Sequence, residues 1–117
     1  QGATTTAYGA SKAALNRMTN GLAAELHGTG IRVNTIEPRG AVLTEGAEAL
    51  MGGKLRPDQM ETLEQMVEAV VALCDCPAEV TGASMVSLDL LDEWGVEVRG
   101  LDGTVLESMG PGKDTRE

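Results

Sequence analysis

Residues 8–15 read Tyr8-Gly9-Ala10-Ser11-Lys12-Ala13-Ala14-Leu15. If this run is helical, Tyr8 and Lys12 lie one turn apart on the same face. A cation held beside a phenol favours the ionised form of a group whose ordinary pKa is about 10. The pair is therefore suited to proton transfer. The same spacing also suits a solvent-facing helix with no chemistry at all. The residues downstream decide between the two.

Downstream come Leu22-Ala23-Ala24-Glu25-Leu26, then Gly30-Ile31-Arg32-Val33-Asn34-Thr35-Ile36 and Pro38. Taken together with Tyr8-x-x-x-Lys12, this order resembles the C-terminal half of the short-chain dehydrogenase/reductase family. In that family an active-site helix carries the Tyr-x-x-x-Lys pair, and the next strand reads like Arg-Val-Asn and ends in a Pro-Gly loop. The resemblance continues more weakly through Val80-Thr81-Gly82 and reaches about Gly103.

A chain of 117 residues holds one small domain at most. Its aromatic content is 2%, with no Phe and only Tyr8 and Trp94, so a core has to be filled by Val, Leu, Met and Ala. The net charge of −9 argues against nucleic acid or an anionic membrane surface as partner, because phosphate binding relies on clustered Lys and Arg. No apolar run approaches the roughly 20 residues of a membrane span, and no signal peptide opens the chain. Cys74-Asp75-Cys76 are too close for an ordinary framework disulfide and too few for a structural zinc site. Reduced thiols in a cytoplasmic protein are expected.

In chain order, Thr4, Thr5 and Thr6 can cap a helix that starts near Ala7 and runs to about His27, where Gly28 and Gly30 stop it. Leu15, Met18, Leu22 and Leu26 form an apolar stripe. Ala10, Ala14, Gly21 and Ala24 form a second stripe of small residues on which another backbone can approach closely; the resemblance implies a twin helix across a dimer interface there, and close packing on a sheet suits the stripe equally. Residues 31–37 read as a strand ended by Pro38. A turn of helix is expected around Glu45–Met51. A further helix is expected from Asp58, with Glu61 completing a capping box. Its apolar face would be Leu63, Met66, Val67, Val70, Val71 and Cys74. Residues 84–91 read as a buried strand. Segments 96–98 and 104–106 are expected to pair around Leu101-Asp102-Gly103. Residues 108–117 are expected to form a disordered tail, which leaves 1–107 as the domain.

Strand, helix, strand in this order implies parallel pairing through a right-handed crossover. The fold class expected is α/β: the C-terminal part of a doubly wound parallel-sheet, Rossmann-type domain whose N-terminal nucleotide-binding half is missing. Gly100-Leu101-Asp102-Gly103 follows the strands and lacks the strand, Gly-loop, helix context of a phosphate-binding turn.

The resemblance also implies roles. Tyr8 becomes the general acid/base, and Lys12 holds the nicotinamide ribose and assists the tyrosine. The family loop Pro-Gly-x-Val-x-Thr, which contacts the nicotinamide carboxamide and the cofactor phosphates, corresponds to Pro38, Gly40, Val42 and Thr44 with Arg39 inserted. Asn34 matches a strand asparagine whose task is structural. The family's substrate-orienting serine lies about a dozen residues before its tyrosine, a position preceding Gln1. The resemblance thus implies interconversion of a small carbonyl or alcohol substrate with NAD or NADP, in a parent that forms homo-oligomers. The isolated chain is expected to be inactive. The alternative is a non-catalytic remnant contributing only packing or oligomer contacts. His27 at the helix end is expected to be structural. Asp89, Asp92 and Glu93 are expected to form a solvated turn rather than paired acids, and no metal site is expected.

Overall fold

A computed structural model describes residues 2–42, 44–45 and 60–106 of the chain. Two compact units divide it. One comprises Gln1–Ile36 with Cys76–Met85, and the other comprises Glu37–Asp75 with Val86–Glu117.

The first unit is built on helix α1, Gly2–Glu25. It begins earlier than Ala7, and Thr4, Thr5 and Thr6 lie inside it rather than capping it. Thr costs a helix only a few tenths of a kcal/mol, ~0.7 at most, relative to Ala, and nothing in the first turn breaks the pattern. Thr19 and Ala23 are the buried side chains of α1, and the Thr19 hydroxyl donates back to the Leu15 carbonyl at 2.9 Å. Leu15, Met18 and Leu22 of the expected apolar stripe stay exposed, and Leu26 is half-buried. The chain turns at Gly28-Thr29-Gly30, as expected.

Strand β1 is Thr35–Glu37, shorter than the expected 31–37. It pairs with β4, Ser84–Val86. Just before β1, side chains take over part of the bonding that would otherwise extend the ladder. The Val33 N–H donates to the Thr81 hydroxyl at 3.1 Å, and the Val33 carbonyl accepts from the Gly82 N–H at 2.8 Å. The Asn34 side chain donates to the Val80 carbonyl at 2.9 Å and accepts from the Ala83 N–H at 3.0 Å. Thr35 N–H then donates to the Ala83 carbonyl at 3.0 Å. Gly82 has φ +72°, and a Cβ there would sit 3.3 Å from the Ala23 Cβ of α1. Both its backbone conformation and its close neighbour favour glycine.

In the second unit β2, Ala41–Val42, pairs in parallel with β3, Met60–Glu61, setting Ala41 opposite Met60 and Val42 opposite Glu61. Helix α2 is Leu63–Cys74. Its capping box is Thr62 with Gln65, not Asp58 with Glu61. The Thr62 hydroxyl accepts from the Gln65 N–H at 3.1 Å, and the Gln65 side chain accepts from the Thr62 N–H at 2.9 Å. Glu61 is withdrawn into β3, where it is 3% exposed, and Asp58 lies outside the described residues.

The expected strand over 84–91 stops at Val86, and helix α3 follows at Ser87–Trp94. Ser87, Leu88, Leu90 and Leu91 are its buried residues, an i, i+1, i+3, i+4 pattern that a strand could not place on one face. Asp89 sits in the first turn, where a carboxylate suits the helix dipole, and Gly95 ends the helix in the left-handed conformation. Helices α2 and α3 pack on each other. The core there is Ala69, Leu88, Leu90 and Leu91. The apolar face expected for α2 points largely outward, with Leu63, Val67, Val70, Val71 and Cys74 exposed. The small Ala69 is buried instead, because α3 approaches that side.

The expected pairing of 96–98 with 104–106 is present as a short antiparallel contact. Arg99 bridges Val105, and the Leu106 N–H donates to the Val98 carbonyl at 2.8 Å. At its tip the Asp102 carboxylate accepts from the Thr104 hydroxyl at 2.7 Å and the Thr104 N–H at 3.0 Å. Those bonds hold its pKa below the usual carboxylate value, the hydroxyl bond contributing most. Of the helical turn expected at 45–51 only Glu45 is described, and it is helical. The tail 108–117 lies outside the described residues. No helix among the described residues is long and apolar enough to cross a membrane.

Candidate active-site segments

Tyr8 and Lys12 occupy the middle of the exposed N-terminal half of α1. Helical spacing sets the Lys12 ammonium over the Tyr8 ring, 5.5 Å from its centroid, within the range of a cation–π attraction. Tyr8 is 65% exposed, so its hydroxyl is open to a ligand. Ser11, inside the motif, turns its hydroxyl inward along the helix and donates to the Tyr8 carbonyl at 2.6 Å. It is engaged with backbone and is no substitute for a substrate-orienting serine. The expectation that Tyr8 and Lys12 lie one turn apart on the same helical face is thus met.

The loop residues expected to touch a cofactor belong to the second unit. Pro38 is half-buried, Arg39 and Gly40 are exposed, Ala41 and Val42 form β2, and Thr44 is exposed. The parallel pairing with β3 fixes the end of this loop. The Arg39 guanidinium is paired with the Asp89 carboxylate on α3. Asp89 therefore belongs to a helix and an ion pair rather than to a solvated turn.

Beneath the loop lies a group that sequence reasoning placed elsewhere. Both carboxylate oxygens of Glu61 accept from the Ser87 hydroxyl, at 2.6 and 2.8 Å. Ser87 is wholly buried. Burial raises the Glu61 pKa above the usual carboxylate value, and the bond from Ser87 and the nearby Arg39 offset part of that rise. No sequence signal marks Glu61 as buried; a Glu three residues after an Asp reads as a cap.

In the first unit, Asn20, Ala23, Ala24, His27, Thr81 and Gly82 line an open depression of about 470 Å³. His27 sits there just past α1, with its backbone N–H bonded to the Ala24 carbonyl at 3.3 Å. Cys74 is exposed, and Cys76 is buried with its carbonyl accepting from Arg32. Among the described residues no group of three or more His, Cys, Asp or Glu could hold a metal ion.

The family model for short chain dehydrogenase matches residues 1–54 of this chain. That span contains the Tyr8–Lys12 pair, β1 and the loop to Thr44. Among solved structures, a short chain dehydrogenase from Mycobacterium thermoresistibile is similar, with 31% identity and a TM-score of 0.59. The similarity covers 69% of this chain and 29% of that one, so the chain spans less than a third of that structure's length. No curated protein matches the chain.

Proposed function

We propose, from the premise that this chain is a segment of the short-chain dehydrogenase family, that it supplies the proton-transfer and nicotinamide-side parts of an NAD- or NADP-dependent carbonyl/alcohol oxidoreductase. The observation that carries this is the accessible phenol and ammonium stacked one turn apart inside the stretch that the family model matches. The donor set suits the nicotinamide end of such a cofactor. Lys12 offers an exposed ammonium to ribose hydroxyls, and the backbone from Arg39 to Val42 offers amides to a carboxamide. When bound, the nicotinamide would give or take the hydride. Tyr8 then donates a proton to the carbonyl oxygen in reduction, or takes one from the hydroxyl in oxidation. Lys12 stabilises the negative charge that develops between them.

No part of the chain reads as a Gly-rich pyrophosphate turn, so the role assigned is confined to the nicotinamide end. The isolated chain is expected to bind that end weakly and to turn over no substrate. Ala10, Ala14 and Ala24 are exposed on α1 and Gly21 is half-buried, which supports a homo-oligomeric parent with this helix at its interface. A cytoplasmic location goes with the same proposal. The alternative is a remnant with packing or oligomer contacts alone.

The test is an NMR titration of the folded chain with NADH, NADPH and reduced nicotinamide mononucleotide, folding being established first by circular dichroism. Saturable shifts at Tyr8, Lys12 and the amides of 39–42 are expected. Lys12→Ala should abolish the shifts at α1, whereas Tyr8→Phe should leave most of them. A folded chain whose resonances do not move with any of the three compounds would sink the dehydrogenase role and leave the remnant.

A further inference from the structure

We infer that Glu61 and Ser87 form a proton-operated latch between β3 and the start of α3, closed by a second hydrogen bond when Glu61 takes one proton from solvent. Both residues belong to the second unit, and the latch stands apart from the function proposed above. The Ser87 oxygen lies 2.8 Å from one carboxyl oxygen of Glu61 and 2.6 Å from the other. Both are ordinary lengths for O–H···O bonds. A hydroxyl carries one proton and two lone pairs, so with Glu61 ionised the two contacts share a single proton. With Glu61 neutral, its O–H donates to the Ser87 oxygen, and the Ser87 O–H donates to the other carboxyl oxygen. Each contact then holds its own proton, and the pair closes into a ring. Val86, the residue before α3, supplies no side-chain cap. The ring thus fastens a helix start that has no such cap of its own.

Glu61 is 3% exposed and Ser87 wholly buried, and burial disfavours the charged form of a carboxyl group. Among the described residues, the charged side chains on the surrounding elements are Arg39 just before β2, Glu64 and Glu68 on α2, and Asp89, Asp92 and Glu93 on α3. Asp89 is paired with Arg39 and Glu68 with Arg99, and Asp89, Asp92 and Glu93 are exposed. Arg39 acts against closure, because its positive charge favours the carboxylate. Burial outweighs it and raises Glu61 above the ordinary value of 4.5. A group that binds its proton more tightly folded than unfolded stabilises the fold as pH falls. The gain is complete below the ordinary value and is lost as pH rises through the raised one.

The experiment follows the Glu61 Cδ resonance of the carbon-13-labelled chain from about pH 4 to about pH 8, a range spanning the ordinary carboxylate value and neutrality. The resonance is assigned through its own backbone. Amide-exchange protection at Leu91 and Asp92, whose N–H groups the first turn of α3 holds, is compared at about pH 5 and about pH 7 after correction for the intrinsic effect of pH. Glu61 should titrate above the exposed Glu93 and Glu97. Wild-type protection should rise on acidification, by up to about tenfold for each unit by which the Glu61 midpoint exceeds its unfolded value. Glu61→Gln can both donate to the Ser87 oxygen and accept from its hydroxyl, and should show the closed-state protection at both pH values. Ser87→Ala should show low protection at both, since no bond then carries the state of Glu61 to α3.

A Glu61 that titrates with the exposed glutamates would overturn the latch. So would a raised midpoint with no acid response at Leu91 and Asp92, because the proton would then not reach α3. An acid response that persists in Ser87→Ala would trace the effect to burial alone and overturn it as well. The titration and the wild-type protection require neither variant to fold, so both remain decisive if a variant is lost.

Discussion

Asn34 uses both ends of its amide, giving a proton to the Val80 carbonyl and taking one from the Ala83 N–H. At neutral pH no other side chain of its size carries donor and acceptor on one planar group. Asn34→Ala should therefore destabilise the fold by about 2–3 kcal/mol, through two backbone groups that lose their partner. Asn34→Asp should cost a similar amount, because a carboxylate would face the Val80 carbonyl oxygen in place of a donor. Urea denaturation of the two variants checks both values. A neutral Asn34→Asp would show that the Val80 bond contributes nothing. This structural role was legible through the family resemblance that the Arg-Val-Asn run helps to carry. Glu61 was not legible, because burial of a carboxylate depends on what the fold brings over it, and Ser87 lies 26 positions away in sequence.

At the scale of elements, caps decided what periodicity left open. Thr62 and Gln65 satisfy each other's backbone N–H at the start of α2, so Thr62→Ala should cost about 1 kcal/mol. Thermal melting followed by circular dichroism measures it, and loss of the cap should shift the midpoint downward. A midpoint unchanged in Thr62→Ala would place the helix start elsewhere. The Tyr8–Lys12 helix and the 98–106 pairing were legible because local spacing and turn residues dictate them. Helix α3 was missed because Ser84 to Leu91 is rich in residues that serve either a buried strand or a buried helix. The left-handed Gly95 and Asp89 in the first turn carry the helical signal, and both are weaker than the hydrophobic run they bracket.

For the whole molecule, the outward apolar face of α2 is the plainest departure from sequence expectation. Strands of two and three residues offer little surface for a helix to cover. Val71, 56% exposed, should accept Lys with a change in stability within about 0.5 kcal/mol. A large loss in Val71→Lys, read by urea denaturation, would mean that this face is covered in solution. The discontinuity of the first unit has a consequence in time. Its clamp joins Asn34 to Val80, 46 positions on, and the intervening 37–75 belong to the other unit. Closing so long a loop costs roughly 3 kcal/mol of chain entropy before any bond forms. On the ribosome, α1 emerges before Thr81 and Gly82 and has to wait for them before Ala23 finds its neighbour. Helix α1, which carries Tyr8 and Lys12, is then made well before the segment that fastens it down, which makes translation rate through residues 37–83 a determinant of yield.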